Sequence, residues 1–475
     1  MTTAESFLRQ FKFVFVVCLA VLVVLLVGGH RTGLGPATIA MFASLALYFM
    51  SHSFLKRFAF TIWVFAFVSA SIAYHGSLIK WGNYELKNSI TPLIQIIMFG
   101  MGTTLSLQDF SQVFKRPWPI FVGFVAQFLI MPLTGWSLAN GLILGKSFGF
   151  TPESFTPEVA AGIVLIGCCP SGVASNVMTY LSGGDVAVSV TVTSCTTLAA
   201  PFMTPVLMKV LGGKLVKVYL LRMMFEIINM IIVPVIAGLL ANRILYSRHK
   251  AFHHGWLWSF IALAGVLSTV FAIRFVPTAI FTCGKGQPYE ASFPRSGIIF
   301  GLALLGLVAL SQLVIRVWLK GPEHWMDGVL PIVSMLGICC IIAVITARSI
   351  HDISGEELKG VLPYLFAATM IHNAAGYLLG YWMARAARLS ECVCRAVAFE
   401  VGMQNGGMAS GLAMNVIKSS ATALAPAVFG PWQNVSGSIL ATWWHRKPVN
   451  PRSFAFAKQN GGGQSKKQGD LNGQA

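Results

Sequence analysis

The sequence predicts an all-α polytopic membrane protein with a ten-helix core of two inverted five-helix repeats, the fourth helix of each broken, plus two extra helical hairpins. Three observations carry this expectation. The 475-residue chain is 55% hydrophobic and only 11% charged, against about 25% charged in soluble domains. Fourteen apolar runs have roughly the length of a bilayer span. Two of those runs are interrupted by helix breakers and polar side chains at matching places in the span order.

The first run, 11–29, follows Arg9 and Lys12. No small-x-small cleavage pattern follows it, so it reads as a retained span rather than a signal peptide. With 36–54 it forms an N-terminal hairpin within residues 1–57. The runs 59–78, 89–107, 118–144, 158–181 and 185–211 make the first repeat, residues 58–217. The second repeat, 218–249 and 326–445, holds 218–245, 328–348, 360–384, 391–418 and 422–445. Between its first two spans, 256–281 and 296–320 form an inserted hairpin within 250–325. Five is odd, so two tandem five-span units take opposite orientations, which is the inverted-repeat plan of secondary transporters. Both hairpins add an even number of spans and leave that topology unchanged. Residues 446–475 read as a disordered, basic cytoplasmic tail rich in Gly, Gln and Lys.

Net charge is +18, with the basic residues mostly in short loops and after Trp444. That suits a positive-inside bias rather than nucleic-acid binding. An inside N-terminus places Lys56-Arg57, Lys115-Arg116, Arg243, Arg316 and Arg385 inside, and Lys214, Lys217, Arg348 and Lys359 outside. An even span count puts both termini in the cytoplasm, and a bacterial plasma membrane is the expected location. The nine cysteines show no disulfide or zinc spacing. The spans hold no paired catalytic carboxylates, no Ser–Lys or Ser–His dyad and no HExxH, so an intramembrane enzyme or a sensor is a remote alternative.

The first interruption is Gly167-Cys168-Cys169-Pro170-Ser171-Gly172-Val173-Ala174-Ser175-Asn176; the second runs from Glu400 to Gly407. Pro170 removes a helix hydrogen bond, and the glycines tolerate unwound backbone. Such backbone survives at membrane depth only when buried in protein or lining a cavity. Glu400 lies in an otherwise apolar run. A carboxylate there costs about 2.5–3.5 kcal/mol even on the gentler insertion scales, so it calls for a cation or a wet cavity. Ser189 and Thr193 are four apart and share a helix face. With Ser175, Asn176 and Glu400 they make one plausible oxygen cage for a small hard cation. Glu400, Gln404 and the freed carbonyls of Val401 and Met403 make a second, which Gln127 could complete.

Several residues have plainer readings. Ser189 and Thr193 could be small residues at a helix contact, and Gln127 could bond between helices. Asp185 reads as a helix cap after Ser182-Gly183-Gly184. Glu226 has Arg222 one turn away, which reads as a local ion pair. His372-Asn373 could face a cavity or bond between helices. Asn434-Val435-Ser436 matches a glycosylation sequon but lies inside a span.

These stretches together resemble the bile acid:sodium symporter family. The resemblance rests on Ile97-Met98-Phe99-Gly100-Met101-Gly102, Ala126-Gln127-Phe128, both interruptions, Ser175-Asn176-Val177-Met178-Thr179-Tyr180-Leu181, His372-Asn373 with Gly376-Tyr377-Leu378-Leu379-Gly380, and Asn434-Val435-Ser436-Gly437-Ser438. It spans about 59–445 apart from the inserted hairpin. It implies a panel domain, a core domain and broken fourth helices that cross near the ion sites. One sodium site would map to Ser175, Asn176, Ser189, Thr193 and Glu400. The other would map to Gln127, Glu400, Gln404 and the backbone of Val401 and Met403. Val173 stands where bacterial relatives often carry Thr, and Gln433 where His often precedes the Asn of the last span. The candidate substrate positions are Val173, Asn405, Gly406, Asn434, His372 and Asn373. The expected function is sodium-coupled import of an organic anion, a carboxylate or sulfonate and conceivably a bile-acid-like one, by alternating access. The expected partners are that anion, sodium and the lipid bilayer, with no nucleic acid, no cofactor beyond the coupling ions and no specified oligomeric state. A metalloid or other solute exporter using Cys168 or Cys169 as a thiolate is the rival transport reading.

Overall fold

The structure, a computed structural model, describes residues 10–28, 33–52, 55–105, 115–142, 154–245, 255–275, 279–282, 288–291, 295–318, 325–353 and 355–447. The expectation for the tail falls almost entirely outside them. The protein is an all-α membrane protein: helices dominate, with two short strand hairpins between them, Lys80–Trp81 with Tyr84–Glu85 and Ala279–Thr282 with Pro288–Ala291. Among the described residues, five helices are both long and apolar enough to cross a membrane, and several shorter apolar helices accompany them.

In chain order the helices are α1 (Phe11–Val27), α2 (Leu34–Met50), α3 (Lys56–Ala73), α4 (Ile90–Thr104) and α5 (Pro117–Ala139). Then come α6 (Pro157–Cys168), α7 (Ala174–Leu181), α8 (Val186–Leu207), α9 (Leu220–Ile227) and α10 (Val233–Leu245). The inserted pair is α11 (Gly255–Phe275) and α12 (Arg295–Gln312). The last five are α13 (Trp325–Asp352), α14 (Gly355–Ala386), α15 (Glu391–Gly402), α16 (Gly406–Leu412) and α17 (Ser420–His445). Each of the fourteen apolar runs falls on a helix or, for 158–181 and 391–418, on two half-helices. Three runs overshoot by five residues or more. Helix α5 stops at Ala139 because Gly141 takes a left-handed φ of +66°, which a glycine reaches without a Cβ penalty. Helix α3 gives way to a 3₁₀ turn at His75–Leu78, and α11 ends before the strand at Ala279. Four helices also loosen into π turns, at Met208–Gly212, Ile228–Ile232, Leu313–Trp318 and Ala413–Ile417.

Small residues set the closest approaches, as expected where the surrounding solvent is as apolar as the side chains. A Cβ on Gly238 of α10 would lie 2.8 Å from the Cα of Gly102 in α4. One on Gly265 of α11 would lie 2.6 Å from the Cα of Gly306 in α12. One on Gly376 of α14 would lie 2.7 Å from the Cα of Gly402 in α15. Helices α3 and α13 are joined by the Ser71 hydroxyl, which donates to the Ala343 carbonyl at 3.0 Å. The pair α1–α2 packs onto α3, and the pair α11–α12 packs onto α10.

At one end of the bundle the buried Arg395 of α15 closes two helix termini. Its guanidinium donates to the carbonyls of Ser182 at 2.7 Å, Trp444 at 3.2 Å and Lys447 at 2.8 Å. Its Nε pairs with Glu391 at 3.1 Å. Carbonyls left over at helix C-termini need such donors.

Candidate ion and substrate site

The two interruptions meet. Helix α6 ends at Cys168 ahead of Pro170, which cannot donate a backbone hydrogen bond. Helix α15 ends at Gly402, and α16 restarts behind Asn405, whose side chain accepts from Met408 N–H at 3.0 Å. The unwound residues lie antiparallel, with Ser171 bridged to Gln404. Gly172 N–H donates to Met403 C=O, and Asn405 N–H to Pro170 C=O, both at 2.9 Å. Gly172 is required by proximity, since a Cβ there would come within 2.8 Å of the Gln404 carbonyl.

Side chains satisfy most of the remaining freed carbonyls, as buried backbone requires. Gln127 donates to Cys169 C=O at 2.8 Å, Thr204 to Cys168 C=O at 2.8 Å and Asn373 to Gly402 C=O at 2.8 Å. Gln433 takes both backbone groups of one residue: its Oε1 accepts from Gln404 N–H at 2.7 Å and its Nε2 donates to Gln404 C=O at 3.0 Å.

Glu400 is fully buried and receives four hydroxyls. Ser175 and Ser189 donate to Oε1 at 2.6 and 2.5 Å. Ser171 and Thr193 donate to Oε2 at 2.6 and 2.8 Å. Asn176 Oδ1 lies 2.8 and 3.2 Å from the oxygens of the same Ser189 and Thr193 hydroxyls. Ser175, Asn176, Ser189, Thr193 and Glu400 therefore come together as one cluster. Among the described residues no ion pair involves Glu400. A buried carboxylate ringed by neutral oxygens and lacking a cation is an arrangement into which a small hard cation fits.

A second cluster adjoins it. Gln127 donates to Gln404 Oε1 at 2.8 Å, and Gln404 Nε2 donates to Val401 C=O at 2.6 Å. Both Glu400 oxygens accept hydroxyls of the first cluster, next to this second one. The Met403 carbonyl is likewise not left free, because it accepts Gly172 N–H. Two participants were absent from the sequence-based set: Ser171 and Gln433.

Beside the crossing lies a cavity of about 460 Å³. Val173, Asn405, Gly406 and Asn434 line it, together with Gln404 and Gln433, against apolar walls from α4 and α13. His372 and Asn373 do not reach it. His372 Nε2 bonds the Met131 carbonyl at 2.9 Å, and Asn373 also accepts the Ser436 hydroxyl at 2.6 Å. Both ring and amide are used between helices, because their faces of α14 pack inward. Cys168 and Cys169 are buried and do not line the cavity either. Asp185 caps α8 by accepting Val188 N–H at 3.2 Å and pairs with Arg116 at 2.6 Å. Arg222 donates to the Asn415 carbonyl at 2.9 Å.

Residues 91–281 match the Sodium Bile acid symporter family. The chain is 30% identical over 389 residues to the uncharacterized sodium-dependent transporter YocS of Bacillus subtilis (strain 168), covering 82% of this chain and 91% of that protein. The chain belongs to the sodium bile acid symporter family. As a member of it, the protein falls among membrane transporters that depend on sodium. It is also 26% identical to a rice protein named "Probable sodium/metabolite cotransporter BASS2, chloroplastic", over 83% of this chain and 72% of that one. With the human ileal sodium/bile acid cotransporter the identity is 28%, over 68% of each.

Proposed function

We propose that the protein is a sodium-coupled symporter that imports an organic anion by alternating access across a bacterial plasma membrane, with both termini cytoplasmic. One observation carries this reading: Glu400 lies uncompensated among four hydroxyl donors at the crossing of two broken helices, beside a cavity. Those hydroxyls donate their protons to the carboxylate. Sodium between Glu400, Asn176 and the hydroxyl oxygens would neutralise the charge and fix the crossing. The Gln127–Gln404–Val401 cluster is the second ion position.

The substrate class follows from the cavity. Its lining is apolar apart from amides, hydroxyls and backbone, and the starts of α7 and of the 406–417 half-helix face it. Helix N-termini favour negative charge, and the apolar walls favour a hydrophobic body. An amphipathic carboxylate or sulfonate fits both. The ten-helix core is read as two inverted repeats, 58–217 and 218–249 with 326–445, carrying the N-terminal and inserted hairpins outside. If two sodium ions accompany one monovalent anion, the membrane potential adds about 2.3 kcal/mol per net charge per 100 mV.

The test is the melting temperature of the purified protein across sodium and potassium titrations, with a panel of organic anions at saturating sodium. The expected result is a sodium-specific rise, with a further rise for an anion only when sodium is present. Equal behaviour in sodium and potassium would sink the reading.

A further inference from the structure

Gln433 stands out because its side chain serves a different residue's backbone. Its amide oxygen and nitrogen take the N–H and the C=O of Gln404 at 2.7 and 3.0 Å. Only one orientation of the amide satisfies both bonds, so the pair behaves as a two-point clamp on a single unwound residue. The clamp is itself held: the Gln433 main-chain carbonyl accepts the hydroxyl of Tyr377 at 3.2 Å. Ser436 donates to Asn373, which donates to Gly402 C=O. The break is thereby gripped on both sides of Met403.

The clamped residue is the one whose side chain builds the second cluster. Gln404 can hold its Oε1 toward Gln127 and its Nε2 on Val401 C=O only while its backbone stays fixed. Yet Gln433 is 6% exposed and belongs to the wall of the cavity. An occupant of that cavity would therefore meet the clamp as well as Gln404, which also lines it.

We infer that Gln433 is a positioning residue for sodium, fixing Gln404 from the cavity wall without itself binding the ion. This rests on the function proposed above. Groups that orient a metal ligand rather than coordinate the ion typically change affinity by about 10–100-fold when removed.

The experiment is a sodium titration of the full-length purified protein with no organic anion present, read as the half-saturation of the melting-temperature shift. Gln433→Met keeps the length of the side chain and loses both bonds; half-saturation should rise about tenfold. Gln433→Asn keeps the amide but is one methylene short, so a smaller rise of about threefold is expected. Should the methionine variant not fold, the asparagine variant decides alone. Half-saturation within twofold of wild type in the variants that fold would overturn the inference, even if their melting temperature in potassium falls, because that pattern means packing only. A wild type without sodium response would overturn the function itself, which separates the two failures.

Discussion

The Ser420 hydroxyl donates to Asp352 Oδ2 at 2.8 Å, joining the first turn of α17 to the last turn of α13. Around it, Ser349 donates to Ser420 C=O at 3.2 Å, and Arg348 Nε reaches the same Asp352 oxygen at 3.2 Å. Arg348 also approaches Glu85 at 3.7 Å, and the bonded Lys87 ammonium holds the Glu85 carboxyl below its ordinary value. The cavity wall runs along α13 from Leu330 to Ile342 and along α17 from Pro426 to Asn434. At about 1.5 Å per residue the tie lies roughly 15 Å beyond Ile342 on α13 and roughly 9 Å before Pro426 on α17. So α13 and α17 are tied just past one end of the cavity.

Loosening the tied end should expose the cavity from that side. In a background without reactive cysteines, Ser334→Cys places a thiol in the cavity wall. Adding Asp352→Asn and Ser420→Ala should raise its labelling from the Asp352 side about fivefold, the population shift for a contact of ~1 kcal/mol. Labelling by an impermeant maleimide in oriented vesicles reads this; no increase would show that the contact is not a latch.

Glu400→Gln keeps shape and removes charge. Sodium-dependent stabilisation should disappear, while the melting temperature in potassium is retained or raised, because an uncompensated buried charge has gone. Thermal melts in the two salts decide it, and a wild-type sodium response would remove Glu400 from the mechanism.

Arg395→Met should destabilise the protein by roughly 3 kcal/mol, since it strips a donor from three carbonyls and leaves Glu391 with only the Tyr381 hydroxyl. Arg395→Lys should recover only part, because an ammonium lacks the planar fork. The unfolding midpoint in denaturant measures both; a midpoint unmoved by Arg395→Met would show those carbonyls find other donors.

Replacing Cys168 and Cys169 by Ser should leave sodium-driven uptake within about twofold of wild type, because what these residues contribute to the crossing is backbone carbonyl. Loss of uptake with folding intact would revive a thiolate mechanism.

Much of this site was legible because it violates the rules of its surroundings. A carboxylate in an apolar run, Pro170 in a span and the glycines after Glu400 are costly, and cost is visible in sequence. Ser171 and Gln433 were not legible as participants. Ser171 reads as one more small polar residue at a break; only its register opposite Gln404 brings it to Glu400. Gln433 is one of two adjacent amides in an apolar span, and its partner lies in the distant break after α15. For His372 and Asn373, a polar side chain in a span shows that it needs a partner, and packing decides whether that partner is cavity or another helix; here both bond other helices. The span list located every helix but overran three ends, which local turns rather than hydropathy determine.

The four additional helices have a mechanical consequence. Both pairs are attached to unbroken helices, α1–α2 to α3 and α11–α12 to α10. If the half-helices and their neighbours slide as a body against α3, α4, α10 and α13, eight spans stand against six. Viscous drag in the bilayer grows with cross-section, so the widened side acts as a stator. In the alternating-access cycle proposed above, the stroke would then fall mainly to the smaller body, which would carry the ions.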